Sequence, residues 1–243
     1  MSKQLSNEET TSLNKWISSK GYCSRREADT LIEDGKVTIN GVVARKGNRV
    51  ADGDEVLIKG KLLNEQPDFV YLLLNKPVGI VCTSDAKEKN NIIDFVNYPE
   101  RVFHVGRLDK QSQGLIMLTN DGDIVNDILR ARYGHEKEYV VKVNRPITRD
   151  FIKKMSSGVP ILDTVTKECF VEQDTKFQFR IILTQGLNRQ IRRMCEQLGF
   201  KVTYLKRVRI MNLELGHLKV GKWRKLTKGE MQELRKEIKA TKD

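Results

Sequence analysis

Apolar and polar positions along this 243-residue chain switch between two periods, and the switches set the elements they predict. Leu13, Trp16 and Ile17 fall at i, i+3 and i+4, which predicts a short amphipathic helix. A second helix starts at Ser24, where Ser24-Arg25-Arg26-Glu27 has the form of a capping box. Ala28, Leu31 and Ile32 make its apolar face and Gly35 ends it. From Val37 to Val43, Asn40-Gly41 lies between β-branched runs, the signal of a hairpin with a type I′ turn. Glu55 to Lys59 gives a further strand. Lys61 to Asp68 is polar, contains Pro67 and has no apolar period, so it reads as a linker.

Beyond it the pattern is mostly that of strands. Val70 to Leu74 is a buried-strand run that Pro77 ends or kinks. Val102, Phe103 and Val105 precede a second apolar run, Leu115 to Leu118, and Lys137 to Val143 is another strand. Phe177, Phe179, Ile181 and Leu183 alternate with their neighbours, and Leu205 to Ile210 forms a last, basic strand. Ile191, Met194, Cys195 and Leu198 recur at helical spacing up to Gly199, and residues 228–240 read as a charged terminal helix. The organisation expected is a small unit over 13–60, a linker over 61–68 and a larger unit over 69–243.

Charge narrows the class of partner. The net charge is +12, with 44 Lys+Arg against 32 Asp+Glu, which favours polyanions, nucleic acid first. Residues 1–60 are close to neutral, whereas residues 187–209 hold Arg189, Arg192, Arg193, Lys201, Lys206, Arg207 and Arg209 against Glu196 alone. Arg25 and Arg26 occupy a helix first turn, where the helix dipole disfavours cations by roughly 0.3–1 kcal/mol each. That placement points to an anion facing them.

Cys23, Cys82, Cys169 and Cys195 form no C-x-x-C pair, and the three histidines do not join them. Neither a metal site nor a disulfide framework is expected, and the thiols read as reduced ones in a cytoplasmic protein. Residues 1–9 lack an apolar core, so no secretory signal is expected there, and no run reaches the length of a membrane span.

One carboxylate stands out. Asp109 lies in the connection between two apolar runs, and a carboxylate held there needs a partner if it is buried. Gly106-Arg107-Leu108-Asp109, four residues, Gly114-Leu115, an apolar run and Thr119-Asn120-Asp121-Gly122 together resemble the signature of the RsuA/RluB/E/F family of pseudouridine synthases. Residues 75–81, 91–97 and 135–139 are most similar to its F branch, which acts on large-subunit ribosomal RNA. Ser24 to Ala28 with Ile32 to Gly41 resembles the core of the S4 RNA-binding domain.

The resemblance covers residues 13 to about 226 and implies an α+β protein. An S4-like RNA-binding domain would precede a pseudouridine synthase catalytic domain with a bent, mainly antiparallel sheet. It implies that Asp109 is the nucleophile and that Arg192, in Gly-x-Asn-Arg-Gln-Ile-Arg-Arg-Met, pairs with it, keeping it ionised and oriented. Removing Arg192 would then strand a buried charge, at about 3–5 kcal/mol. Tyr139 would stack on the target base, worth roughly 1–3 kcal/mol. Arg107 would fill the gap the flipped uridine leaves. Lys206 would lie near the aspartate or on a phosphate. Arg25, Arg26 and Lys36 would contact RNA phosphates, and Arg189 and Arg193 belong to the same basic cluster. Lys76 is given a scaffold role only.

The implied substrate is large-subunit rRNA, with a tRNA as a second candidate. No cofactor or metal is implied, and a monomer is the default. Two rivals share the composition: a non-catalytic S4-type RNA-binding or ribosome-assembly protein, and a metal-dependent nuclease. The latter needs a carboxylate cluster that is not seen near Asp109.

Overall fold

The computed structural model describes residues 10–63, 68–130 and 134–241. The expectation for residues 1–9, and the part of the predicted linker at 64–67, lie outside the described residues. The chain divides between Phe69 and Val70 into two compact units.

The first unit contains β1 (Thr10–Ser12), α1 (Leu13–Ser19), α2 (Arg25–Glu33), β2 (Val37–Ile39), β3 (Val42–Val43), β4 (Arg49–Ala51), β5 (Val56–Ile58) and β6 (Lys61–Leu62). Strand β1 pairs with β4, and β3-β2-β5-β6 make an antiparallel sheet. The capping box on α2 forms as expected, with Ser24 accepting from the Glu27 amide and Glu27 from the Ser24 amide. Gly35 follows with φ +66°, the left-handed conformation that stops the helix. Asn40 and Gly41 both take positive φ, which gives the hairpin its predicted turn. Leu13, Ile17, Ala28, Ile32, Val37, Val56 and Ile58 make the core.

One expectation fails here. Lys61–Leu62 is not linker but strand β6, hydrogen-bonded to β5. Two exposed edge residues carry no apolar period, so nothing in the local pattern marks them as a strand.

The second unit contains β7 (Tyr71–Lys76), α3 (Ile92–Val96), β8 (Phe103–Val105), β9 (Gln113–Thr119), α4 (Gly122–Leu129), β10 (Lys137–Val143) and α5 (Arg149–Ser156). Then come β11 (Pro160–Ile161), β12 (Thr164–Val165), β13 (Phe170–Thr175), β14 (Gln178–Leu183), α6 (Gln190–Gln197), β15 (Val202–Ile210), β16 (Leu213–Glu214), β17 (Trp223–Lys225) and α7 (Lys228–Ala240). A nine-stranded sheet runs β13-β14-β10-β15-β9-β7-β17, with β16 added to β15 and β8 to β9. Every pairing in it is antiparallel except β15 with β9. Helices and an antiparallel-rich sheet make this an α+β protein.

The continuous apolar runs follow from burial of both sheet faces. Leu72, Leu74, Ile116 and Leu118 pack on one side with Phe151 and Met155 of α5 and Ile191, Met194 and Cys195 of α6. Leu73, Leu115 and Met117 pack on the other with Ile124 and Ile128 of α4 and Leu234 and Ile238 of α7. No helix among the described residues is long and apolar enough to cross a membrane.

Candidate active site

The β15–β9 junction is the one parallel contact of the sheet and spans two residue pairs, Lys206 with Gln113 and Arg207 with Gly114. It brings the start of β9, and the loop before it, against β15. That loop, residues 106–112, carries Asp109. A cavity of about 580 Å³ opens beside it, lined by Arg107, Asp109, Ser112, Lys137, Tyr139, the segment 183–192 and Arg207 among others. This volume lies in the range of small-ligand sites.

The loop is held peptide by peptide. The Arg107 carbonyl accepts from Arg207 Nη1 at 3.4 Å. Leu108 is bracketed by Cys82, whose Sγ donates to its carbonyl at 3.2 Å and accepts from its amide at 3.4 Å. The Asp109 carbonyl accepts from the Ser112 amide at 2.9 Å, and the Lys110 carbonyl from the Gly79 amide at 2.8 Å. The Gln111 carbonyl accepts from Arg192 Nη2 at 2.9 Å, and the same nitrogen is 3.3 Å from Ser112 Oγ. No hydrogen bond or ion pair, among the described residues, reaches the Asp109 carboxylate, which is half-buried. The backbone is fixed while the side chain stays available, the arrangement a nucleophile needs.

This corrects the predicted pairing of Asp109 with Arg192. The two charges act on each other only beyond ion-pair distance. Burial lowers the Arg192 pKa, the Arg189 charge lowers it further, and Asp109 offsets part of that. Rising from the first turn of α6, the guanidinium spends its Nη2 on the loop backbone rather than on the carboxylate.

Of the other expected residues, Tyr139, Arg107 and Arg189 line the cavity with Asp109 and Arg192. Arg107 is exposed, and Arg189 takes φ +50° as the α6 N-cap. Arg193 does not line the cavity; it braces the preceding loop by donating to the Asn188 carbonyl and Oδ1, each at 3.1 Å. Lys206 does not line it either. Side chains alternate along β15, so Arg207 takes the cavity position and Lys206 the opposite one. In the first unit Arg25 and Arg26 are exposed on the first turn of α2, as expected, and Lys36 pairs with Asp34 at 2.6 Å.

Several site residues escaped the sequence reading. Arg207 is 3% exposed and donates Nε to the Leu115 carbonyl at 2.7 Å. Period-two alternation from the buried Leu205 would have pointed to it instead of Lys206. Lys137 donates to the His135 carbonyl at 2.9 Å, and burial, with the Arg207 charge, lowers its pKa to about 8. Lys76 is fully buried and donates to the Pro77 and Ile80 carbonyls, with its pKa lowered to about 8, chiefly by desolvation. Asp109 is thus the single carboxylate among the described lining residues, facing Arg107, Arg130, Lys137, Arg189, Arg192 and Arg207. Such a cavity attracts a polyanion and leaves one nucleophilic oxygen pair inside it.

Comparison with known proteins agrees with this geometry. Residues 70–197 match the model of the RNA pseudouridylate synthase family, and residues 11–56 match that of the S4 domain. The chain is 57% identical to the dual-specificity RNA pseudouridine synthase RluF of Salmonella typhi over 94% of its own length and 80% of the relative's. It is 38% identical to the ribosomal large subunit pseudouridine synthase B of Bacillus subtilis, covering 92% of this chain and 95% of that one. A solved pseudouridylate synthase crystal structure superposes with a TM-score of 0.68 at 29% identity, over 92% of this chain and 99% of the other.

Proposed function

The chain belongs to the RNA pseudouridylate synthase family and carries an S4 domain, and on that premise we propose that it isomerises a uridine of large-subunit ribosomal RNA, with a tRNA as second substrate. The Bacillus relative is named for the large ribosomal subunit, which supports the first part. The relatives at 57% identity are named as dual-specificity enzymes, which supports a second RNA. Recognition of RNA by local shape makes a second class of substrate chemically reasonable.

Asp109 is the nucleophile in this reading, and the observation that carries it is its position as the lone carboxylate on a rigidly held loop in a cationic cavity. The exposed Arg107 occupies the stack where the uridine leaves it, and Tyr139 packs on the flipped base. Asp109 attacks the nucleotide, the C1′–N1 glycosidic bond breaks, and the uracil turns so that C5 bonds to C1′. The bond to Asp109 is then released, C5 loses its proton and N1 gains one, so the product is an isomer and the carboxylate is regenerated. The exposed Arg25 and Arg26 engage phosphates.

Pseudouridine mapping of total RNA tests this, using cells that lack the protein and are complemented with wild type or with Asp109→Asn. Loss of a site in rRNA, and of one in tRNA, with restoration by wild type alone, is the expected result. Restoration by Asp109→Asn removes Asp109 as nucleophile, and an unchanged map favours the RNA-binding or ribosome-assembly alternative.

A further inference from the structure

Three side chains lining the cavity are more than nine-tenths buried and each leaves one donor nitrogen without a partner: Gln190 Nε2, Arg192 Nε and Arg207 Nη2. Buried donors are nearly always satisfied, so three around one cavity mark where a ligand's acceptors are taken up. The Gln190 amide has no freedom to turn and present oxygen instead. Its Oε1 already accepts from the Leu187 amide at 3.0 Å, so Nε2 is the end left over. A guanidinium offers donors only. These three buried side chains therefore offer the cavity donors only.

Uracil presents carbonyl acceptors at both C2 and C4. Cytosine has the same ring with an amino donor at C4, which cannot satisfy an unpartnered donor. Arg207 also stands directly opposite Tyr139 in the β10–β15 pairing, where cross-strand side chains are neighbours. A base resting on Tyr139 brings its edge to the Arg207 side chain.

We propose that Arg207, with Gln190, reads the carbonyl oxygens of the target base and so selects uracil. This rests on the reading of the site as a uridine isomerase and adds to it the groups that recognise the base. Arg207 serves twice in this proposal: Nε and Nη1 hold Leu115 and Arg107 on either side of Asp109, and the buried, unpartnered Nη2 is left for the base.

The test uses a synthetic RNA hairpin spanning the uridine found by mapping, made with uridine, 2-thiouridine or 4-thiouridine at that position. Sulfur is the poorer acceptor, so wild type is expected to lose about tenfold or more in kcat/KM on at least one thio-RNA. Arg207→Lys keeps the cation and loses the fork. Gln190→Glu keeps the acceptor for Leu187 and replaces the donor with oxygen. Both should lose about tenfold or more in kcat/KM on the uridine hairpin, with hairpin affinity within about threefold of wild type. In both, the thio penalty should shrink towards unity, which a merely structural defect would not produce.

Equal wild-type turnover of all three hairpins overturns the proposal without need of any variant. So does a thio penalty of wild-type size in both variants. If wild type forms no pseudouridine in the uridine hairpin, the isomerase reading fails first and this one falls with it.

Discussion

At Gly114 an ideal Cβ would lie 2.2 Å from the Arg207 carbonyl oxygen and 2.6 Å from its amide nitrogen. Backbone meets backbone at the parallel junction that sets the Asp109 loop against β15, and Gly114 adopts φ +119°, which side-chain-bearing residues rarely take. Gly114→Ala must part the strands and strain the backbone, and is expected to cost about 3 kcal/mol or more. Gly229→Ala on α7, where nothing lies within 4 Å, is expected instead to stabilise, by up to about 1 kcal/mol. Urea unfolding of both variants checks the contrast, and a near-neutral Gly114→Ala would show that the junction is not tight.

Arg192 acts on Asp109 through the loop that carries it. Because its Nη2 holds the Gln111 carbonyl and lies 3.3 Å from the buried Ser112 hydroxyl, truncation orphans these acceptors instead of stranding a partnered carboxylate. Arg192→Ala is therefore expected to cost about 1–3 kcal/mol, less than the 3–5 kcal/mol of a broken buried ion pair. Turnover should fall far more than RNA affinity, since the loop shifts while the phosphate contacts remain. Urea unfolding together with the kcat and KM of Arg192→Ala separates the two accounts.

How much of this was legible in the sequence depends on whether the determinant is local. The Ser24 capping box, the Asn40-Gly41 turn, β10 and α7 could be read because each rests on chemistry within a few residues. The identity of the loop bearing the carboxylate was legible too, from its motif. The partner of that loop was not. Alternation from Leu205 marks Arg207 as inward-facing, but that it meets the Asp109 loop is set by a two-residue parallel contact with a strand some ninety positions earlier in the chain. Cys82 reaches Leu108 in the same non-local way, and the bulge between Glu138 and Tyr139 shifts the register that aligns Tyr139 with Arg207.

The first unit offers a prediction of a different kind. Arg25 and Arg26 are exposed at the start of α2, and no ion pair engages them among the described residues. If they meet phosphates, the double variant Arg25→Gln/Arg26→Gln should weaken RNA binding evenly across sequences. It should also reduce the slope of log K against log salt by about 1–2. A salt titration of RNA binding measures this, and an unchanged slope would place the phosphates elsewhere.

The buried Lys76 and the half-buried Lys137 predict how stability responds to alkali. Lys76 and Lys137 have pKa values of about 8 in the folded protein, lowered mainly by desolvation from an ordinary value of 10.5. Between these limits the unfolded chain keeps protons that the folded one has released, so both lysines make stability rise with pH above about 8. Burial raises the Cys169 and Cys195 thiols, to about 11 and about 12, from 9.0. There the folded chain keeps the proton longer, so the thiols lower stability as pH climbs past 9. Near pH 8 the lysines outweigh the thiols, which oppose them increasingly towards pH 9, so the lysine contribution is read from the difference between wild type and a lysine variant. Urea unfolding at several pH values across this interval should show stability increasing for wild type and increasing less for Lys137→Met. The same slope in both proteins would mean that Lys137 stays protonated in the cavity, with its charge held by surrounding acceptors.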